Sequence, residues 1–343
     1  TRSLCDWSSD VCSSDLVAGK DIGRPISSNP LFYPGNELLQ QDLKQSVTAL
    51  DMKYDFEQVS ARAILGRINY YVFRSSDNDF TAVQRNSDAQ EDKLSSDSFE
   101  LQLSSRSNGP LGWIVGAYKF KEDIKFSFFS SCPAIAKTTP NCASPAAWPV
   151  TNSKAAFGQL AYWFAPDKFR MTAGVRSTTD EKNISRYSAT TDSFQRISSI
   201  TPTGQSFLRK FDQTTWRINA EYYIDDKKMI YGSVSTGFRS GGFNSGSFTN
   251  PLIPAFFTPE TVTAYEIGSK NTLADGKLRL NAAVYKNKFK DLQVQNQFLV
   301  TTVSGVTTTS AILNAARGHS QGLEVELQAV PVENLNLSVS GVL

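Results

Sequence analysis

The residues best suited to acid–base chemistry lie close together near the C-terminal end of the sequence. His319 is the only histidine in the 343 residues, Ser320 follows it directly, and Asn314 lies nearby. A serine esterase needs a hydroxyl nucleophile, a histidine base and a third group that orients the base. Adjacent residues on a β-strand point to opposite faces, so His319 and Ser320 cannot act as partners on a strand. We therefore expect a structural or solvent-exposed role for His319.

A glycine-rich stretch, Gly237–Asn244 (GFRSGGFN), has the composition of a phosphate-binding loop. Such a loop requires a following helix whose N-terminus faces the anion. The residues that follow are rich in Ser, Gly, Thr and Pro, which do not predict a helix. We interpret the stretch as a loop whose glycines supply positive φ. Residues that bind a ligand cannot be identified from the sequence.

Four cysteines complete the set of reactive side chains. Cys132 and Cys142 flank the segment CPAIAKTTPNC, and Cys5 and Cys12 lie near the start of the chain. Two thiols without a nearby His or a further Cys do not complete a zinc site. We expect no metal site, no cofactor and no enzymatic activity.

Charge and hydropathy exclude two further classes. The chain has 35 basic and 33 acidic residues, a formal net charge of +2, so it lacks the basic field that nucleic-acid binding requires. Hydrophobic residues make up 40% and the mean hydropathy is -0.30. No segment has the roughly 18 uninterrupted apolar residues of a transmembrane helix.

Apolar and polar residues alternate strictly in many segments, which predicts β-strands with two unlike faces. In one of these segments, Trp216, Ile218 and Ala220 alternate with Arg217 and Asn219. The same pattern occurs at 50–56, 99–103, 169–176, 278–284, 323–329 and 335–340.

Short turns and long polar connections follow one another between these strands. The short turns are Glu57-Gln58, Ser107–Pro110, Pro166–Lys168, Asp225–Lys227, Asp275–Lys277 and Val332–Asn334. The long connections are predicted at about 75–95, 124–152, 178–211, 239–260 and 297–310. Six short turns with a strand on each side give at least twelve strands. This pattern predicts a partial antiparallel transmembrane β-barrel, an all-β fold with short turns at one end and long connections at the other.

Soluble β-sandwich domains are the alternative fold, because their strands also alternate. No linker or shift in composition divides the chain, and Arg, Glu and Asn occupy mid-strand positions near aromatic residues. A polar lumen and aromatic girdles account for both features.

Several segments resemble the barrel of TonB-dependent outer-membrane receptors. They are Tyr231–Asn244 (YGSVSTGFRSGGFN), Pro259–Thr261, Tyr265–Lys270 (YEIGSK), Leu278–Tyr285 (LRLNAAVY), Asp291–Val294 and Gly322–Leu327, with Gly112–Tyr118 and Ala173–Arg176 similar to earlier strands of the family. The resemblance implies a barrel of about 22 strands whose lumen holds an N-terminal plug. It also implies import of scarce ligands with energy delivered through TonB.

The resemblance sets the expected division of the chain. Residues 45–343 are expected to form an incomplete receptor β-barrel, and 17–44 a loop or leading segment. Residues 1–16 (TRSLCDWSSDVCSSDL) match no secondary-structure period and look like translated sequencing adapter, so we expect no packed structure there. We recognise no plug domain and no TonB-interacting box before residue 45, and Asn334–Leu343 stops in mid-alternation.

A barrel in the outer membrane gives each strand a lipid-facing side and a lumen-facing side. Polar side chains that face hydrocarbon cost several kcal/mol together, whereas a wet lumen accepts them. The expected lipid-facing residues are Ile218, Ala220, Tyr222, Leu278, Leu280 and Ala282, and the expected lumen-facing residues are Arg217, Asn219, Glu221, Arg279 and Asn281. We expect Cys132 and Cys142 to form a disulfide that pins an outside loop, which fits an oxidising compartment.

The expected function is active import of a ferric siderophore, a cobalamin or an oligosaccharide. The expected partners are outer-membrane lipid, the imported small molecule and the TonB complex, but not nucleic acid. The expected location is the outer membrane of a Gram-negative bacterium. A passive porin-like channel and a secreted β-sandwich binding protein are the alternatives.

Overall fold

The computed structural model of the chain describes residues 40–77, 87–106, 109–130, 143–191, 197–245, 253–302, 305–315 and 317–343. It also describes four two-residue strands, Cys5–Asp6, Val11–Cys12, Leu16–Val17 and Lys20–Asp21, which pair as two separate hairpins. The side chains of these short strands lie outside the described residues. The expected division at residues 16 and 44 therefore stays a prediction.

Twelve strands form one antiparallel sheet. In chain order they are β1 (Gln40–Asp55), β2 (Val59–Asp77), β3 (Ser87–Ser105), β4 (Leu111–Ser130), β5 (Ala143–Ala165), β6 (Phe169–Thr191), β7 (Ile197–Asp225), β8 (Lys228–Arg239), β9 (Glu260–Leu273), β10 (Leu278–Lys290), β11 (Gly318–Ala329) and β12 (Leu337–Val342). Two further hairpins, Gly242–Phe243 with Phe256–Phe257 and Gln293–Thr302 with Gly305–Asn314, lie in the connections. Within the described ranges, no helix is long and apolar enough to cross a bilayer.

Each strand pairs with its neighbours in sequence, so the sheet order runs from β1 at one edge to β12 at the other. Consecutive antiparallel pairing places successive connections at alternate ends of a sheet. The six short turns therefore share one end, which includes Pro166 between β5 and β6. Pro254, between β8 and β9, lies at the opposite end. The prediction of an antiparallel sheet with at least twelve strands and segregated connections is confirmed.

The short turns contain residues that tolerate a left-handed backbone. Asp167, Asp275 and Asn334 have φ of 57°, 53° and 66°. Asn and Asp adopt this region more readily than other non-glycine residues. Gly276 follows Asp275 with φ of 89°, and Ala274 before them has φ of 51° although alanine does not favour this region.

The strand register turns the sequence alternation into two unlike faces. Tyr222, Ile230, Ser269, Ala282 and Val325 lie in one row across β7–β11. We call the side of this row the apolar face, and the other side of the sheet the polar face. On β7, Ile218 on the apolar face is 46% exposed, whereas Asn219 on the polar face is 8% exposed.

Several strands are longer than the alternation predicted. The region 178–211 was predicted as a long connection, but β6 continues to Thr191 and β7 begins at Ile197, with Asp180 opposite Phe211. The 297–310 connection likewise contains the hairpin of Gln293–Thr302 with Gly305–Asn314. About 9–11 residues suffice for a strand to cross a bilayer. A strand segment with water on both faces needs no alternation of apolar and polar residues, although its hydrogen-bonded ladder continues.

Candidate functional site

Glu221 is the centre of a polar network on the polar face, near the short-turn end. It lies opposite Arg170, whose Nε donates to Glu221 Oε2 at 2.6 Å. Asn219 Nδ2 donates to Oε1 at 2.9 Å, and the Tyr223 hydroxyl donates to Oε2 at 3.1 Å. The guanidinium carbon of Arg170 lies 5.2 Å from the centroid of the Trp163 ring. Both carboxylate oxygens are therefore satisfied, and the paired charge is held against an aromatic surface.

A second carboxylate on the polar face belongs to Glu266 on β9, and its hydrogen-bond partner Tyr231 lies on β8. The Tyr231 hydroxyl donates to Glu266 Oε1 at 2.5 Å. The ammonium of Lys270 lies 5.6 Å from the centroid of the Tyr231 ring.

A third carboxylate, Glu326, lies on β11. It accepts hydrogen bonds from Asn281 Nδ2 at 3.1 Å and from Gln328 Nε2 at 2.9 Å. The polar face thus carries hydrogen-bonded carboxylates from β7 to β11.

The residues predicted for the two barrel faces separate as the alternation requires. Arg217, Asn219, Glu221, Arg279 and Asn281 lie on the polar face, and Ile218, Ala220, Tyr222, Leu278, Leu280 and Ala282 lie on the apolar face. Which face meets lipid and which meets the lumen stays a prediction.

At the end with the long connections, the polar face combines cations with aromatic rings. Arg209 on β7 lies opposite Lys182 on β6. The guanidinium carbon of Arg209 is 4.3 Å from the centroid of the Phe256 ring. Phe207 and Phe243 stack with ring centroids 6.2 Å apart and an interplanar angle of 18°. We call these five residues the mouth cluster.

The charge of the mouth cluster favours an anionic ligand. Like charges at directly opposed positions of a sheet repel each other. Asp180 and Glu122 both offset part of the charge of Lys182, and Arg239 adds a further cation. Arg209 makes no ion pair among the residues that the structure describes. The sequence did not predict this cluster, because its members come from two strands and a connection and share no local motif.

The glycines of the Gly237–Asn244 stretch do not have the positive φ that the sequence predicted. Among the described glycines, positive φ occurs at Gly204 and Gly276, not in this stretch. A Cβ on Gly241 would lie 2.5 Å from Phe211 Cε1 and 2.5 Å from the Phe257 carbonyl oxygen. The prediction of positive φ was therefore wrong, and glycine is required at 241 because a ring and a backbone approach too closely for a side chain.

Two asparagines fasten the connections to one another at this end. Asn244 Nδ2 donates to the carbonyl oxygens of Pro254 at 3.0 Å and Ile312 at 2.9 Å, and its Oδ1 accepts the Ile312 N–H at 2.8 Å. Asn314 Nδ2 donates to the carbonyl oxygens of Thr258 at 2.8 Å and Asp291 at 2.9 Å. The 293–314 hairpin is thereby tied to the β8–β9 connection that contains Phe256.

The esterase arrangement does not form. His319 and Ser320 are consecutive residues of β11 opposite Lys288 and Asn287, so they lie on opposite faces. Asn287 Nδ2 donates to Ser320 Oγ at 3.3 Å, and the Asn314 amide is used by backbone groups. In the described ranges, no three His, Cys, Asp or Glu side chains are placed to hold a metal ion. Cys132 and Cys142 lie outside the described residues, so their disulfide stays a prediction.

Known proteins share this barrel pattern over nearly the whole chain. A family model described as "TonB dependent receptor-like, beta-barrel" matches residues 12–342. The pesticin receptor of Yersinia pestis is 26% identical over 172 residues, which are 50% of this chain and 23% of that receptor.

Solved structures show the same fold at low identity. The ferric yersiniabactin uptake receptor of Yersinia pestis has a TM-score of 0.69 at 17% identity, covering 89% of this chain and 43% of that one. The siderophore receptor PiuA of Acinetobacter baumannii has a TM-score of 0.61 at 15% identity, covering 88% and 47%. The chain thus spans less than half the length of these relatives. Because the family model matches nearly all of it, the chain belongs to the TonB-dependent receptor β-barrel family.

Proposed function

We propose that this chain forms part of the wall of an outer-membrane receptor that binds a small anionic ligand and imports it with energy delivered through TonB. Membership of a family of Gram-negative outer-membrane β-barrels supports the location and the mode of transport. The mouth cluster is the observation that carries the ligand class. It presents Arg209 and Lys182 beside aromatic rings at the end of the sheet where the long connections lie.

A ferric siderophore is the ligand class that best fits the mouth cluster. Many such chelates combine negative charge with flat rings, so a guanidinium and Phe rings can contact both parts. Two relatives are named for ferric yersiniabactin uptake and as a siderophore receptor. Cyanocobalamin has flat rings but no net charge, and neutral oligosaccharides have neither flat rings nor charge, so both serve as competing ligands in the test.

Binding and transport involve no covalent chemistry in this proposal. Arg209 and Lys182 attract the anion, and Phe207, Phe243 and Phe256 cover its apolar surface. The side-chain hydrogen bonds of Asn244 and Asn314 fix the β8–β9 connection relative to the 293–314 hairpin. This lowers the conformational entropy that is lost when the ligand binds. Between the mouth cluster and the short-turn end, the polar face then offers the ligand hydrogen-bonding groups rather than hydrocarbon.

A pair of neighbouring substitutions tests the mouth cluster. Arg209→Gln removes a cation from the polar face, and Lys210→Gln removes one from the other face, where Lys210 lies 3.3 Å from Asp212. Loss of one charge-assisted contact corresponds to about tenfold or more in affinity. We expect Arg209→Gln to weaken binding of a ferric siderophore by about tenfold, and Lys210→Gln to leave it unchanged, as measured by fluorescence quenching of the purified receptor.

The ligand panel includes ferric catecholate and hydroxamate siderophores, cobalamin and a maltodextrin. Tight binding of cobalamin or maltodextrin that does not respond to Arg209→Gln would contradict the proposed ligand class.

Energy dependence separates the receptor from the porin-like alternative. Uptake of radiolabelled ligand by cells should stop when TonB is deleted or the inner-membrane proton gradient is collapsed. A passive channel would continue to equilibrate the ligand under both conditions.

A further inference from the structure

A groove on the apolar face joins exposed hydrophobic side chains to a group of cations. It has a volume of about 530 Å³, and its lining includes Leu50, Leu65, Phe99, Lys119 and Lys121. The three hydrophobic residues are 52%, 38% and 42% exposed. We call this feature the basic groove.

The basic groove carries more positive charge than the described chain neutralises. Lys119 on β4 lies directly opposite Lys154 on β5, and like charges in such positions repel each other. Lys119, Lys121 and Lys154 make no ion pair among the described residues. The one carboxylate in the lining is Asp97, opposite Lys121 in the register, and Arg67 already binds it at 3.3 Å.

The height of the groove matches the boundary between hydrocarbon and lipid headgroups. β4 leaves the short-turn end at Leu111, and Lys119 and Lys121 follow on the apolar face. At about 3.3 Å per residue and a tilt of about 40°, they stand roughly 20–25 Å above that end. The apolar band of an outer-membrane barrel is about 25 Å tall. The lysines therefore reach the level of phosphate groups, and Asp123 lies beyond them on the same face.

We propose that the basic groove binds a phosphate-bearing lipid of the outer leaflet. The phosphate lies among Lys119, Lys121 and Lys154, where it offsets the repulsion between opposed ammonium groups. An acyl chain lies along Leu50, Leu65 and Phe99, whose exposed surface is removed from water. The inference rests on the proposed outer-membrane location, because only there does the apolar face meet lipid.

Native mass spectrometry of the receptor, purified in detergent and titrated with bis-phosphorylated lipid A, measures this binding. The triple variant Lys119→Gln/Lys121→Gln/Lys154→Gln removes three charges while largely keeping side-chain length. Each basic residue near an anionic surface accounts for about a fivefold change in affinity, so we expect roughly 100-fold weaker binding. The triple variant Lys227→Gln/Lys228→Gln/Lys277→Gln makes the same charge change at the short-turn end and should bind as the unchanged receptor does.

Two further probes distinguish a lipid from a free anion. Dephosphorylated lipid A should bind the unchanged receptor as weakly as bis-phosphorylated lipid A binds the first triple variant, and inorganic phosphate should compete poorly. Equal lipid affinity of the first triple variant and the unchanged receptor would overturn the proposal. Full displacement of the lipid by inorganic phosphate would also overturn it, since the groove would then be a simple anion site.

The direction in which the unfolding temperature of Lys154→Gln changes, without and with lipid A, tests the proposal independently. In lipid-free detergent, Lys154→Gln should leave the unfolding temperature unchanged or raise it, because it removes a repulsive charge. With lipid A present, the same variant should gain less thermal stability than the unchanged receptor. Fractionation of the receptor with the outer membrane and TonB-dependent uptake test the proposed function separately, so a failure of lipid binding can be told from a wrong location.

Discussion

Arg170 and Glu221 face each other across β6 and β7, with Arg170 Nη2 2.5 Å from Glu221 Oε2. The Glu221 side chain is 13% exposed. By contrast, Lys227 and Asp275 at the short-turn end are 3.8 Å apart and 57% and 100% exposed. The two pairs therefore differ in how far water screens them, although both join a cation to a carboxylate.

Breaking the Arg170–Glu221 pair should destabilise the barrel measurably. Arg170→Gln leaves a nearly buried carboxylate with only neutral donors, and we expect a loss of about 2–3 kcal/mol in the free energy of unfolding. Lys227→Gln should cost less than about 0.5 kcal/mol, because its pair is exposed. Urea titration of the receptor folded into lipid vesicles gives both values. Equal small losses would show that the pair contributes nothing beyond a surface ion pair.

The orientation of the two faces predicts opposite tolerance of a charge at matched alanines. Ala220 lies on the apolar face, and Ala161 lies on the polar face opposite Thr172 and Gly112. Ala220→Arg should destabilise by roughly 2–4 kcal/mol if it meets hydrocarbon near the midplane, and Ala161→Arg by about 0–1 kcal/mol. The measurement is again the unfolding free energy in bilayers. A larger loss at Ala161 would mean that the polar face meets lipid.

Asn244 should control the stability of the connections around the mouth cluster. Asn244→Ala removes three hydrogen bonds to Pro254 and Ile312. We expect amide hydrogen exchange near 311–314 to accelerate by about tenfold or more, since each net hydrogen bond contributes about 1 kcal/mol. Asn296→Ala is the control, because Asn296 bonds within its own hairpin at 3.4 Å. Unchanged exchange in the Asn244 variant would show that other contacts hold the hairpin.

The Cys132–Cys142 disulfide should be detected by peptide mapping without reduction. Closing a loop of this length should stabilise the folded receptor by about 2–3 kcal/mol. Cys132→Ser/Cys142→Ser should therefore lower the unfolding temperature. Free thiols that react with iodoacetamide in the folded receptor would contradict the pairing.

The sequence by itself determined the alternating strands and their two faces. Side chains on a strand alternate with a period of two, so Ile218 and Asn219 were assigned to opposite faces before any pairing was known. Turn residues such as Asp167 and Gly276 act locally through φ, so they could also be recognised without the fold.

Only the tertiary structure decided the features that depend on distant residues. Asn244 bonds to Ile312, 68 positions away, and Gly241 is required by Phe211 on another strand. The continuation of β6 and β7 into 178–211 was hidden, because these segments have no strict alternation of apolar and polar residues. The opposition of Lys119 and Lys154 follows from the register of β4 and β5. A register is set by two segments together, so neither segment alone encodes which charges meet.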